Sequence, residues 1–185
     1  MKTGALFVIA AMALAFVAGS ATAIQLNRQS PLLVAAFKGD AQTTHDLLVR
    51  GANPSLQDVE GRTALIYAAL QGHLETVEVL LEFDDTPDRT DRLDNSALFY
   101  AAERGHYEIV ELLVEAGASI DLENKHGATP LMAAVREERT DVVSLLVDSG
   151  ADVNHTDYTG HTVLDLARQG RSGHVVQLLE RAGAQ

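Results

Sequence analysis

The chain reads as an all-α solenoid of five stacked helix–turn–helix repeats. The first sign is a leucine that returns every 33 residues, at Leu32, Leu65, Leu98, Leu131 and Leu164, with no insertion or deletion. The second is the string around each leucine: Ser30-Pro31-Leu32-Leu33-Val34-Ala35-Ala36, Thr63-Ala64-Leu65-Ile66-Tyr67-Ala68-Ala69, Ser96-Ala97-Leu98-Phe99-Tyr100-Ala101-Ala102, Thr129-Pro130-Leu131-Met132-Ala133-Ala134, and Thr162-Val163-Leu164-Asp165-Leu166-Ala167. A fixed period of this length marks units that bury their apolar faces only against their neighbours.

The third repeat shows each element in order. Ser96 is placed to cap a helix, because its hydroxyl can accept a free N–H of the first turn. Ala97 to Arg104 supply small and apolar residues at helical spacing, and Ala101 and Ala102 let neighbouring helices approach closely. Gly105 ends that helix. His106-Tyr107-Glu108 open a second one, with Ile109, Val110, Leu112, Leu113 and Val114 facing inward and Glu108, Glu111 and Glu115 facing water. Gly117 closes it, and a polar turn follows to Gly127. Repeat two echoes this with Gly72-His73-Leu74-Glu75, Val77, Val79, Leu80 and Leu81; repeat four does so with Val142, Val143, Leu145, Leu146 and Val147.

These features resemble the ankyrin repeat. The resemblance rests on the Ser/Thr-x-Leu starts, the paired alanines, the Gly-His-x-Glu turns and the ends Gly51-Ala52, Gly117-Ala118, Gly150-Ala151 and Gly183-Ala184. It spans Ser30 to Ala184 and implies an ankyrin-repeat solenoid with projecting β-turns, in repeats of about 28–57, 58–90, 91–123, 124–156 and 157–185. Departures carry expectations of their own. The histidine that usually follows the anchor leucine is Leu33, Ile66, Phe99, Met132 or Asp165, so its hydrogen bonds must be missing or replaced. Glu138 stands in a glycine slot, and Asp84-Asp85 replace Gly-Ala, which marks the exit of repeat two as the weakest junction. Tyr67 and Tyr100 share one repeat position and read as a packing pair. Thr43, Thr44 and Asp46 at one end, and Asp165, Arg168, Glu180 and Arg181 at the other, read as polar caps.

Residues 1–23 read as an export signal. Lys2 gives a positive start, Ala5 to Ala18 is an unbroken apolar run, and Ala21 and Ala23 sit at the −3 and −1 positions of a cleavage site. The run is shorter than the roughly 20 residues that span a bilayer. The mature chain, residues 24–185, is expected to begin at Ile24 as one repeat domain. The alanine-rich signal has a bacterial character, so the expected location is the periplasm, with secretion as the alternative. With no cysteine, the chain needs no disulfide there.

The net charge of −12 argues against nucleic acid, whose phosphates need clustered cations, and against anionic membranes. It is compatible with a basic protein partner or with solubility alone. His73 and His106, one repeat apart, read as structural. His126, His155 and His161 lie on late turns without zinc-site spacing, so no metal or other cofactor is expected. Six carboxylates between Glu82 and Asp94 suit calcium by type, but the spacing of a calcium loop is missing and Arg89 and Arg92 offset the charge. No nucleophile elbow, cysteine nucleophile, zinc-protease motif or phosphate loop occurs, so the chain is not expected to be an enzyme.

The resemblance implies a cupped surface of turns and first helices that binds a protein partner. Carried over by position, it comprises Val59, Glu60 and Arg62; Arg92, Leu93 and Asn95; Lys125, His126 and Ala128; and Tyr158, Thr159 and His161 from the turns. The first helices add Phe37, Lys38, Leu70, Gln71, Glu103, Arg104, Arg136 and Glu137. The leading expectation is an exported monomeric adaptor that binds a protein and supports a periplasmic enzyme. The alternatives are an acidic inhibitor or immunity protein against a periplasmic toxin, and a secreted effector acting on host proteins.

Overall fold

The computed structural model describes residues 30–83, 86–170 and 172–185. The expected signal and its cleavage site, and the Asp84-Asp85 junction, lie outside the described residues. Ten helices form five antiparallel pairs among those that are described. They are α1 (Pro31–Lys38) and α2 (Ala41–Val49), α3 (Ala64–Gln71) and α4 (Leu74–Phe83), α5 (Ala97–Arg104) and α6 (Tyr107–Glu115), α7 (Pro130–Arg136) and α8 (Thr140–Asp148), and α9 (Val163–Gln169) and α10 (Gly173–Arg181). The first helices α1, α3, α5, α7 and α9 stack in one layer, and the second helices stack in another.

Local chemistry sets each first helix. Ser30, Thr63, Ser96, Thr129 and Thr162 each accept a first-turn N–H through the side-chain hydroxyl. Each such cap contributes about 1 kcal/mol. The paired alanines Ala68-Ala69 and Ala101-Ala102 are fully buried, as close stacking of the first helices requires. On the second helices, Val77 and Leu80, Val110 and Leu113, and Val143 and Leu146 line the core between the layers.

The structure corrects one sequence expectation here and sharpens others. Thr44 is not a polar cap residue: it is fully buried against the stack, and its hydroxyl has no hydrogen-bond partner among the described residues. Thr76, in the neighbouring helix α4, is buried with the same unmet hydroxyl. Asp165 does more than face water, because its carboxylate accepts the Thr162 N–H at 3.0 Å and completes a capping box. Those bonds hold its carboxyl below the usual carboxylate range. Glu138 takes the left-handed backbone of the slot it occupies, with φ at +56°.

A line of hydrogen bonds ties the second, third and fourth hairpins each to the one before. His73 Nε2 lies 3.1 Å from the Phe37 carbonyl oxygen, His106 bonds the Leu70 carbonyl, and Arg139 Nε donates to the Glu103 carbonyl at 3.1 Å. The expected structural role of His73 and His106 follows from these contacts. Burial pushes the His106 pKa below its ordinary value, so it is held neutral there. A second line runs through the loops that follow the second helices. Asp88 accepts from the Ser119 N–H, Asp121 from Asp152 and Asn154 from Gln185.

Candidate interaction surface

The projecting turns are built around one acidic or amide side chain per repeat. Asp58, Asp91, Asn124 and Asp157 recur at the 33-residue period. Each places Oδ1 where two backbone N–H groups of its own turn converge. Asp58 accepts from Glu60 and Arg62, Asp91 from Leu93 and Asn95, Asn124 from His126 and Ala128, and Asp157 from Thr159 and His161, all at 2.8–3.0 Å. Burial alone would raise the Asp157 pKa. The bonds from Thr159 and His161 outweigh it and hold the carboxyl below its usual range.

Beneath the turns lies a buried polar network. Tyr67 donates to Asp58 Oδ2 and Tyr100 to Asp91 Oδ2, each at 2.6 Å. Asn95 donates to the Tyr100 hydroxyl oxygen at 3.1 Å, and Asn124 donates to Asn95 Oδ1 at 2.9 Å. The Arg62 guanidinium sits between the two tyrosines, 5.8 and 5.9 Å from their ring centroids, with Nε 3.8 Å from Asp91 Oδ2. Desolvation, then the bond to the turn carboxylate, raises the pKa of both tyrosines, so both stay neutral donors well above neutral pH. The packing role expected of Tyr67 and Tyr100 is thus joined by a polar one. Their hydroxyls reach the turns in two of the five repeats that lack the histidine usual after the anchor leucine.

The tips are joined into a ladder. Arg92 N–H donates to the Glu60 carbonyl at 2.8 Å, Lys125 N–H to Leu93 at 3.0 Å and Tyr158 N–H to His126 at 3.0 Å. Since each turn is also closed on itself, from Asp58 N–H to the Arg62 carbonyl and equivalently in the other repeats, the tips stand as one connected edge. What the edge exposes is chemically mixed. Val59 is 44%, Leu93 50% and Tyr158 71% exposed, and Glu60, Arg92, Lys125, His126, Thr159 and His161 are exposed with them. Tyr158 is held in place despite its exposure. Its ring lies over Gly127, where an added Cβ would come within 2.4 Å of it, and its hydroxyl donates to Glu123 at 2.9 Å.

Not every expected surface residue faces outward. Asn95 is 6% exposed and spends its amide on Tyr100 and Asn124, and Ala128 is buried at the foot of its turn. Arg62 is half-buried in the tyrosine network. All three close their turns, at a position that points into the stack in the inner repeats. From the first helices, Lys38, Gln71, Arg104, Arg136 and Glu137 are exposed; Phe37, Leu70 and Glu103 are half-buried, and Phe37 packs edge-on against Tyr67 with ring centroids 5.7 Å apart. Sequence reasoning missed the turn carboxylates. Their recurrence at Asp58, Asp91, Asn124 and Asp157 was the available signal.

Several of the remaining polar groups singled out by the sequence are engaged in structure. Asp88 is taken up by Ser119 and Asp91 by its turn, so two of the six carboxylates in the acidic segment already have backbone and hydroxyl donors. His155 Nε2 lies 2.9 Å from the Gly127 carbonyl, and His161 Nδ1 lies 2.7 Å from Thr159 Oγ1. Among the described residues no three His, Cys, Asp or Glu side chains converge as a metal site. The recesses between second helices are open grooves, such as the one lined by Tyr107, Glu108, Asp141, Ser144, Leu145 and Asp148. What the molecule offers chemically is a rigid edge of backbone-locked turns with selected side chains displayed on it.

The family model of ankyrin repeats (three copies) matches residues 32–124 and again residues 117–185. No curated protein matches the chain.

Proposed function

The chain belongs to the ankyrin repeat family, and we propose that it is an exported, non-enzymatic adaptor that holds a protein partner on its turns and first helices and supports a periplasmic enzyme. Ankyrin repeats mediate protein–protein interaction, and proteins of this family are typically interaction modules. The observation that carries the reading is the tip ladder. Its turns are fixed from below by the side chains of Asp58, Asp91, Asn124 and Asp157 and from the side by backbone bonds, yet Val59, Leu93, Arg92, Lys125 and Tyr158 are left exposed. A surface already ordered when free loses little side-chain or loop entropy on binding, which favours association. Arginine and tyrosine in such a setting are the usual anchors of interfaces. Export rests on the sequence of residues 1–23, with Lys2, the apolar run and the Ala21-x-Ala23 site.

Two measurements test the reading. Capture from periplasmic extract, read by mass spectrometry, is to be lost with Leu93→Asp combined with Arg104→Glu, both exposed positions of repeat three. It is to survive Glu78→Lys combined with Glu111→Lys, exposed on the second helices. Loss with the second pair and survival with the first would move the site to the other face. Intact-mass measurement of the osmotic-shock fraction is to show a chain starting at Ile24; a product retaining Met1 in the membrane pellet would replace export with anchoring.

A further inference from the structure

Charge is distributed unevenly over this acidic molecule. The chain carries 26 Asp and Glu against 14 Lys and Arg. The second helices display Glu75, Glu78, Glu108, Glu111, Asp141 and Asp148 to solvent. At the turn tips the order reverses. Arg92 and Lys125 occupy the same position in adjacent turns, and the Lys125 N–H to Leu93 carbonyl bond, at 3.0 Å, fixes them side by side. Both side chains are exposed, and among the described residues neither forms an ion pair. Of the nearby carboxylates, Glu123 is engaged by the Tyr158 hydroxyl and lies 3.8 Å from His155, and Asp94 is half-buried in its turn. Glu60, in the preceding turn, gives its carbonyl to the Arg92 N–H at 2.8 Å, but its carboxylate forms no ion pair with Arg92 among the described residues. Two like charges are thus held together without partners, in a chain with carboxylates to spare, and are flanked by exposed Leu93 and Tyr158.

We infer that the tip ladder receives an extended acidic segment of the partner, with carboxylates on Arg92 and Lys125 and an apolar side chain against Leu93 or the Tyr158 ring. This rests on the adaptor reading above and narrows its partner chemistry, from the basic protein that net charge alone admits to an acidic one. The spacing sets a pattern for the segment. Neighbouring repeats stack at about the 8–10 Å of packed helices, and an extended polyproline II chain rises about 3.1 Å per residue with three residues per turn, which brings side chains three apart onto one face. Carboxylates three residues apart therefore match the two cations.

The test uses the purified protein and three sets of labelled 12-residue peptides, read by fluorescence polarisation. One set carries Asp-x-x-Asp beside a leucine, one replaces both Asp by Asn, and one replaces both by Lys. The acidic set is expected to bind about tenfold more tightly than the Asn set, with the advantage shrinking as salt rises. Arg92→Glu with Lys125→Glu is expected to transfer the preference to the Lys set, with an unchanged circular dichroism spectrum confirming the fold. Binding of the Lys set by the unaltered protein, an acidic preference that survives the charge reversal, or no binding of any set would each overturn the inference. If the natural partner's capture is lost with Leu93→Asp and Arg104→Glu but unaffected by the Arg92 and Lys125 reversal, the adaptor reading stands and the acidic segment falls. If capture is indifferent to both pairs, the adaptor face itself is wrong.

Discussion

Glu138 is the residue whose backbone opposes its side chain most directly. Its φ is +56°, in a slot that Gly39, Gly72 and Gly105 fill at +74°, +82° and +79°. An L side chain held there costs about 1–2 kcal/mol. Glycine at the same place gives back roughly 0.4–1 kcal/mol through its freer unfolded chain. The net expectation for Glu138→Gly is about 1 kcal/mol of added stability, or a rise in melting temperature of about 2–4 °C for a domain of this size. The surroundings of the three glycines explain why the fourth repeat, unlike the first three, accepts a side chain. A Cβ at Gly39, Gly72 or Gly105 would approach His73, His106 or Arg139 to 2.5, 2.6 or 2.7 Å. The position equivalent to those three after Glu138 is Ser172, a shorter side chain than histidine or arginine. Gly105→Ala combines the backbone penalty with displacement of Arg139 from the Glu103 carbonyl, so it should cost about 2–3 kcal/mol. Urea titration followed by circular dichroism measures both. A Glu138→Gly midpoint at or below that of the parent chain, with an unchanged slope, would refute the strain argument; a Gly105→Ala midpoint equal to the parent's would refute the packing one.

Other perturbations probe the network and the interior. Tyr100→Phe removes a buried donor from Asp91 and an acceptor from Asn95, and should cost about 1–3 kcal/mol, more than Tyr67→Phe, whose hydroxyl donates to the less buried Asp58; equal midpoints would show that the network is energetically idle. Thr44→Val should raise stability by about 0.5–1.5 kcal/mol, because it replaces an unmet buried hydroxyl with a methyl group of the same shape; a lower urea midpoint would mean that the hydroxyl has a partner in solution. Burial lowers the folded pKa of His106 below its ordinary 6.5, so the unfolded chain binds the proton first and stability falls as pH drops below about 6.5. His106→Gln should flatten that fall between about pH 6.5 and 5, above the range where the carboxylates titrate; an unchanged slope would assign it to another group.

Much of the fold was legible because a solenoid repeats its reasons. Leu98 could be aligned with four counterparts, Ser96 read as a cap and Gly105 as a stop, and each inference was supported by the same residue type one period away. The turn interior was harder to read. An aspartate such as Asp91 looks like a soluble loop residue, and only three dimensions show that two backbone N–H groups and a tyrosine hydroxyl saturate it. Asn95 was misplaced for a related reason. Its position is exposed in the last repeat, at His161, but in repeat three the next turn closes over it and offers Asn124 as a donor. Thr44 was read by polarity, while burial at its site is decided by the neighbouring hairpin.

The same contrast governs how charge should be read in this protein. A net charge of −12 describes the far field, which screening erodes beyond about 8 Å at physiological ionic strength. A partner at contact distance meets the sign of one face. On the second helices the exposed charges are overwhelmingly carboxylates, whereas the tips pair Arg92 with Lys125. An acidic partner approaching the tips would thus be repelled at long range and attracted on arrival. That predicts a distinctive salt response. Raising ionic strength should first speed association by removing the far-field repulsion, then weaken the complex by screening the close contacts. A basic partner would show only a monotonic decline in both rate and affinity. Stopped-flow association measured across a salt series therefore separates the two chemistries. A rate that falls steadily from the lowest salt would place the attraction in the overall charge of the molecule rather than in its turns.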